Sequence, residues 1–170
     1  SILGATGSIG KNSLNVLSSL DDSYKVFGLS CHTNITLLRN QIYQFNPEYA
    51  IITNQNSYDL FLKEYGKNLG DTKILFGDEG LNLITSDKKV DTVIAAITGF
   101  SCIYPVITAI NHNKTILIAN KEILVSAGNM IISKLRNSKA TILPIDSEHN
   151  ALLQIILSSG LEYKINDADY

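Results

Sequence analysis

Short apolar runs recur at regular intervals along the chain, at residues 1–3, 24–29, 49–53, 73–76, 92–97, 115–119 and 140–145. Each is shorter than a typical helix and rich in Ile, Val or Leu, which suits a strand buried on both faces. Between these runs apolar residues return at helical spacing. Leu14, Leu17 and Leu20 form one such face, and Leu37, Leu38, Ile42 and Phe45 the next. Strand and helix therefore alternate, which predicts an α/β fold with a doubly wound, mostly parallel sheet, right-handed crossovers and helices on both faces. The glycine-rich pieces at 66–71 and 77–80 read as loops. From residue 163 the chain turns polar and acidic without a period, as if leaving its domain.

At 170 residues the chain has room for one domain or slightly more. Its 14 basic and 16 acidic residues leave a formal net charge of −2, with no block of like charge, so nothing marks a nucleic-acid footprint. No stretch approaches the ~18 apolar residues of a membrane-spanning helix, so no membrane partner is expected. Cys31 and Cys102 lie far apart without a C-x-x-C, which excludes a disulfide-rich scaffold and a thiolate zinc site. Both read as small packing residues in a reducing compartment, and His112 as an exposed side chain on the polar side of its helix. The chain enters directly on Ser1-Ile2-Leu3 without Met, which reads as a trimmed or incomplete start.

Candidate chemistry begins at the end of the first apolar run. Gly4-Ala5-Thr6-Gly7-Ser8-Ile9-Gly10 has the spacing G-x-x-G-x-x-G and leads into the first helical pattern. In a Rossmann-like fold the first glycine permits a tight turn and the second lets backbone approach a pyrophosphate. The third allows helix to pack closely on strand. Helix-start N–H groups would face the phosphates. A merely structural glycine turn is the alternative. An NAD site would place Asp or Glu at the end of the second strand, but Leu29-Ser30-Cys31-His32-Thr33-Asn34 has no acid, which favours NADP. Ser30, His32 when protonated, Thr33 and Asn34 would meet the 2′-phosphate. Asn34 is equally suited to cap the following helix.

Two further strand ends carry polar clusters. Asp146-Ser147-Glu148-His149-Asn150 holds two carboxylates at a strand-to-helix corner, where they suit Mg²⁺ or Mn²⁺ or simply cap the helix. Asn120-Lys121-Glu122 follows another strand, as Thr98-Gly99 does a third. In a doubly wound sheet all of these face one rim, with the glycine loop and residues 30–34.

Taken together, Ile2-Leu3-Gly4-Ala5-Thr6-Gly7-Ser8-Ile9-Gly10, Ala95-Ala96-Ile97 with Gly99, Ala119-Asn120-Lys121-Glu122 and Pro144-Ile145-Asp146-Ser147-Glu148-His149-Asn150-Ala151 resemble one family, 1-deoxy-D-xylulose 5-phosphate reductoisomerase. The last two strings are far more specific than the glycine loop. The resemblance implies an NADPH- and metal-dependent enzyme of non-mevalonate isoprenoid synthesis, dimeric, and found in bacterial cytoplasm or plastids. It implies that Thr6, Gly7, Ser8 and Ile9 hold the NADPH diphosphate, that Asn34 lies at the ribose phosphate, and that Asn120 and Glu122 contact the cofactor nearer its nicotinamide. Lys121 and Glu148 would be catalytic, and Lys121 would bind the sugar-phosphate substrate. Asp146 and Glu148 would be two of three carboxylates on Mn²⁺ or Mg²⁺, with Co²⁺ a further option, and Ser147 and Glu148 would also touch substrate.

Residues 1–145 would then form the NADP(H)-binding domain and 146–170 the start of the metal- and substrate-binding domain. Two positions depart from the family pattern. His32-Thr33 stands where Gly followed by Lys or Arg is common, and Ile123 replaces the usual Ser after Asn-Lys-Glu. Family members are much longer, so this chain alone is expected to hold cofactor with little or no turnover. Glu162, Asp167 and Asp169 are the only later acids, and no motif assigns one as the third ligand. Among rival readings, a short-chain-type dehydrogenase needs a Tyr-x-x-x-Lys that is absent, and a semialdehyde dehydrogenase needs an activated cysteine. A non-catalytic dinucleotide-binding module is the third.

Overall fold

The computed structural model describes residues 1–20, 23–66 and 69–159. Strands and helices alternate in chain order. The first half comprises β1 (Ile2–Leu3), α1 (Ser8–Ser19), β2 (Gly28–Cys31), α2 (Ile35–Phe45), β3 (Tyr49–Ile52), α3 (Gln55–Tyr65) and β4 (Lys73–Phe76). The second comprises α4 (Gly77–Ser86), β5 (Thr92–Ala95), α5 (Ile103–Asn111), β6 (Thr115–Ile118), α6 (Glu122–Arg136), β7 (Thr141–Pro144) and α7 (Ser147–Ser158). All seven strands are parallel, in the order β4-β3-β2-β1-β5-β6-β7. The chain winds outward from β1 to β4, crosses back through α4 to β5, and then winds the other way. The strand order thus reverses between β1 and β5, and the carboxyl ends of those two strands flank the crevice where this architecture binds ligands.

The inner strands bury both faces, while the edge strands β4 and β7 are partly exposed, and successive side chains serve different cores. Ile2, Leu29, Ile52 and Ile94 pack with Leu14, Leu38, Ile42 and Phe61 from α1, α2 and α3. Leu3, Ile51, Val93 and Ile116 pack with Leu81, Ile84, Val106, Ile110 and Ile131 from α4, α5 and α6. Keeping the helices of the outward run on one face and those of the return run on the other makes every crossover right-handed, as the twist of the strands favours.

Two expectations from the pattern are corrected. The second strand lies at Gly28–Cys31 and not at 24–29, because Gly28 is where the sheet admits α4: a Cβ there would come within 2.7 Å of the Ile84 side chain. Tyr24 is consequently exposed on the approach to the strand, and Ser30 and Cys31 become buried strand residues. The piece at 77–80 is the first turn of α4 and not a loop. Gly80 lies so close to β3 that a Cβ would meet Ile51 at 2.9 Å, and Asp78 and Glu79 sit where acids complement a helix N-terminus. Of the loop expected at 66–71, Lys67 and Asn68 lie outside the described residues, as does the acidic stretch 163–170.

Cys31 and Cys102 are free and buried, and burial pushes their thiols up to about 12 and about 11, so neither is a nucleophile at neutral pH. His112 is exposed at the end of α5. No helix among the described residues is long and apolar enough to cross a membrane.

Candidate functional site at the carboxyl rim of the sheet

The three glycines of the β1–α1 turn divide the work that their spacing suggests. Gly4 has φ +80°, a left-handed conformation that other residues rarely adopt, and a Cβ there would lie 2.7 Å from the Ala96 carbonyl oxygen beyond β5. Gly10 is buried under the turn, where a Cβ would meet the Gly4 carbonyl oxygen at 2.3 Å and Ala5 Cα at 2.6 Å. Gly7 is the exposed one, with only the Gly4 carbonyl oxygen within reach of a Cβ, at 3.3 Å. It also occupies the N-cap of α1, where no side chain caps the helix and no acid occupies the first turn. The first-turn N–H groups are thus left to an anion.

Neighbouring strands hold this turn in place. Ser30 on β2 accepts the Gly4 N–H on its hydroxyl at 2.9 Å and the Ala5 N–H on its carbonyl at 2.7 Å. Gln41, buried on α2, donates to the Ala5 carbonyl at 2.8 Å. Ser30 is therefore a brace for the glycine turn, its hydroxyl already committed to Gly4. Neither bond is visible from local spacing, because each joins residues remote in sequence.

Opposite the turn, the segment after β5 is shaped by Asn120. This side chain is buried, and its amide donates to the carbonyls of Ile97 and Gly99, both at 2.8 Å. Its Oδ1 is buried without a partner. Between the two sides runs a cleft of about 480 Å³, lined in part by Gly4, Thr6, Gly7, His32, Thr98 and Ser101. Thr53 after β3 and Asp78 on α4 also line it, and the sequence offered no signal for either.

At the end of β2, His32, Thr33 and Asn34 are exposed. Asn34 caps α2, accepting the Leu37 N–H at 3.2 Å. Arg39, one turn further along α2, lies over the rings of Tyr43 and Tyr65 at 5.1 and 4.9 Å.

At the far side of the rim Asp146 caps α7, and its carboxylate meets His149 Nδ1 at 2.5 Å. Burial pushes the Asp146 carboxyl up, but hydrogen bonds from the His149 side chain and backbone outweigh it, and the net direction is down. The exposed Glu148 carboxyl is also held low, by its own backbone N–H, by the Ser147 hydroxyl at 3.0 Å and by the charge of Lys121. Both carboxylates are ionised at neutral pH, as hard divalent ions require. Two carboxylates supply part of such an ion's oxygen shell; His149 Nδ1 is turned onto Asp146 itself, and among the described residues no group of three or more acids, histidines or cysteines is arranged to hold a metal ion. Glu162, Asp167 and Asp169 lie outside the described residues. Lys121 and Glu122 are exposed where β6 passes into α6, while Ile123 is fully buried in the core between α6 and the sheet. The departure at Ile123 is a packing residue.

A seven-stranded parallel sheet with an uncapped glycine turn at its switch point defines a Rossmann-like α/β domain, the class of fold that cradles dinucleotides. The family model described as 1-deoxy-D-xylulose 5-phosphate reductoisomerase matches residues 1–128, and the chain belongs to that family. It is 40% identical over 155 residues to a 1-deoxy-D-xylulose 5-phosphate reductoisomerase of Idiomarina loihiensis, covering 91% of this chain and 39% of the relative. The enzyme of that name from Clostridium kluyveri is 40% identical over 164 residues, 95% of this chain and 42% of the relative. The chain thus spans about two fifths of the length of these curated relatives.

Solved structures agree. A crystal structure of DOX-P reductoisomerase in complex with NADPH, fosmidomycin and magnesium superimposes with a TM-score of 0.85 at 40% identity, over 90% of this chain and 37% of that one. The Zymomonas mobilis 1-deoxy-D-xylulose 5-phosphate reductoisomerase in complex with NADPH gives 0.83 at 35% identity, over 90% of this chain and 40% of that one.

Proposed function

We propose that the chain supplies the cofactor-holding part of an enzyme that converts 1-deoxy-D-xylulose 5-phosphate to 2-C-methyl-D-erythritol 4-phosphate, using NADPH and Mn²⁺ or Mg²⁺. In this reading residues 1–145 bind NADPH and 146–170 begin the metal- and substrate-binding part. The intact protein is a homodimer of bacterial cytoplasm or plastid, and these residues alone turn over little or nothing.

The observation that carries the reading is one of placement. Strands β6 and β7 pair side by side, Ile118 with Pro144, so Lys121 just beyond β6 and Glu148 at the start of α7 stand at adjacent strand ends. There the backbone N–H and the Ser147 hydroxyl hold the Glu148 carboxyl low, and the Lys121 charge adds to them. Two residues separated along the chain, both singled out for substrate, thus share one end of the rim whose middle holds the glycine turn.

Each side chain has a task under this proposal. Thr6, Gly7, Ser8 and Ile9 present backbone and hydroxyl donors to the diphosphate at the start of α1. Thr33 and Asn34 face the ribose phosphate. Asn120 holds the segment after β5 through its amide, and Asn120 and Glu122 lie toward the nicotinamide side of the cofactor. Lys121 places a cation by the substrate's carbonyl and hydroxyl oxygens, and Ser147 and Glu148 orient the same sugar. Asp146 and Glu148 would share the divalent ion with a ligand from elsewhere. NADPH supplies hydride and the divalent ion acts as Lewis acid and template for vicinal oxygens.

Grafting tests the reading. This chain replaces the corresponding segment of the Clostridium kluyveri relative, and the hybrid is assayed with NADPH and Mn²⁺. Turnover of 1-deoxy-D-xylulose 5-phosphate that stops when the metal is chelated is the expected outcome. A folded hybrid that binds NADPH but never turns over would contradict it.

A further inference from the structure

Helix α7 is apolar on two sides. Leu153 is its buried residue, and Asn150, one turn earlier on the same side, ties the helix to β7 by donating its amide to the Pro144 carbonyl at 2.9 Å. On the other side Leu152 and Ile155 are 59% and 64% exposed. From Asn150 to Ser158 the helix carries no charged residue. A helix face meant for water is polar or charged, whereas a helix that is apolar around its circumference belongs inside a larger body. Helix α2 shows the first kind, turning Thr36, Asn40 and Gln44 outward.

Spacing joins this surface to the site. Glu148, Leu152 and Ile155 stand at i, i+4 and i+7 and so share one stripe of the helix. The stripe begins at the carboxylate proposed to meet metal and substrate and runs away from the rim. β7, on which α7 rests, is the terminal strand of the sheet and is itself partly exposed. The chain covers 39% and 42% of the two curated relatives, so about three fifths of each lies outside the match.

We propose that the stripe of Leu152 and Ile155 is an internal docking surface, covered in the intact protein by the remainder of its own polypeptide. Continuity with Glu148 selects that occupant. A divalent ion on Asp146 and Glu148 needs further oxygen ligands, and whatever brings them to Glu148 lies over the start of the same stripe. A second copy of α7 laid antiparallel along the stripe brings no carboxylate to Glu148, because the helix has none after that residue. α7 is thus a core element shared by two packed parts and not a tether between them.

The inference rests on the reading of the chain as part of a reductoisomerase, and thiol labelling separates the two. Ile155→Cys is made in this chain and in the hybrid with the Clostridium kluyveri relative, and modification by a maleimide is followed at that residue by peptide mass spectrometry. Cys31 and Cys102 are buried and stay unlabelled in a folded protein, so they report folding in the same sample. Lys63→Cys, exposed on α3 toward the opposite edge of the sheet, is the control. Labelling at 155 is expected to be at least about tenfold slower in the hybrid than in the chain alone, since access then requires a packed interface to open. Labelling at 63 should be the same in both. Leu152→Lys should restore fast labelling at 155 in the hybrid, because the interface would otherwise bury an unpaired charge.

Equal labelling at 155 in the folded hybrid and in the chain alone would overturn the proposal, and turnover by that hybrid would leave the reductoisomerase reading standing. Protection at 155 in a hybrid without turnover would uphold the docking surface and overturn that reading instead. Protection lost on dilution, in either protein, would assign the stripe to a second copy and overturn the proposal. Where the hybrid labels at Cys31 and Cys102, the same substitution at the aligned position of the relative itself decides between these outcomes.

Discussion

Gly10→Ala is expected to destabilise the chain by about 3 kcal/mol, the upper end for overpacking, and to abolish NADPH binding. The added methyl would sit 2.3 Å from the Gly4 carbonyl oxygen and 2.7 Å from the Ala5 carbonyl carbon. These are main-chain atoms of the turn itself, and no side-chain rotation relieves them. Helix α1 must then lift from β1, which strains the Gly4 and Ala5 hydrogen bonds to Ser30 and moves the first-turn N–H groups away from the cleft. Gly7→Ala provides the contrast. Its Cβ meets one atom, at 3.3 Å, so stability should change by less than about 1 kcal/mol. Any loss of NADPH affinity there reports approach of the diphosphate and not unfolding. Urea denaturation with dinucleotide titration separates the two effects, and equal stability losses at both positions would contradict this division of tasks.

Glu148→Gln, made in the grafted enzyme, is expected to lower turnover about a hundredfold or more, because changing even the partners of metal ligands costs 10- to 100-fold. The residue is exposed at the start of α7, and its hydroxyl contact from Ser147 can persist to an amide oxygen, so the fold should be unaffected. What the amide lacks is the negative charge that Lys121 and the helix N-terminus hold in place. NADPH affinity should stay within about twofold, since the proposed dinucleotide contacts lie elsewhere along the rim. Undiminished turnover with metal still required would remove Glu148 from the proposed ligand set.

Legibility of the sequence followed the range of the interactions. Apolar runs and helical faces announced seven strands and their alternation with helices, because burial on two faces leaves a local signature. The Asn34 cap was readable for the same reason, since its partner is three residues away. Gly80 reads as part of a loop, and the strand containing Gly28 is placed too early, because what these glycines admit, α4 onto β3 and Ile84 onto β2, is a tertiary approach. In isolation Gly80 looks like an interruption.

The site divides in the same way. Glycine spacing pointed to the β1–α1 turn, and the strings around Lys121 and Glu148 pointed to the far side of the rim. Asn120, Gln41 and Thr53 act through carbonyls or rings at least 20 residues away in sequence, so their holding roles emerged only in three dimensions. Ile123 shows the converse, a departure from the family pattern that proves to be a core side chain.

Calorimetric titration of the purified chain with NADPH and with NADH, each with and without Mn²⁺, tests the central claim most directly. At neutral pH the account predicts saturable NADPH binding at least about tenfold tighter than NADH, a difference of about 1.4 kcal/mol. Mn²⁺ should not be required, because the proposed dinucleotide contacts do not include Asp146 or Glu148. Failure of both dinucleotides to bind a folded chain would contradict the assignment of the cleft at the switch point as the cofactor site.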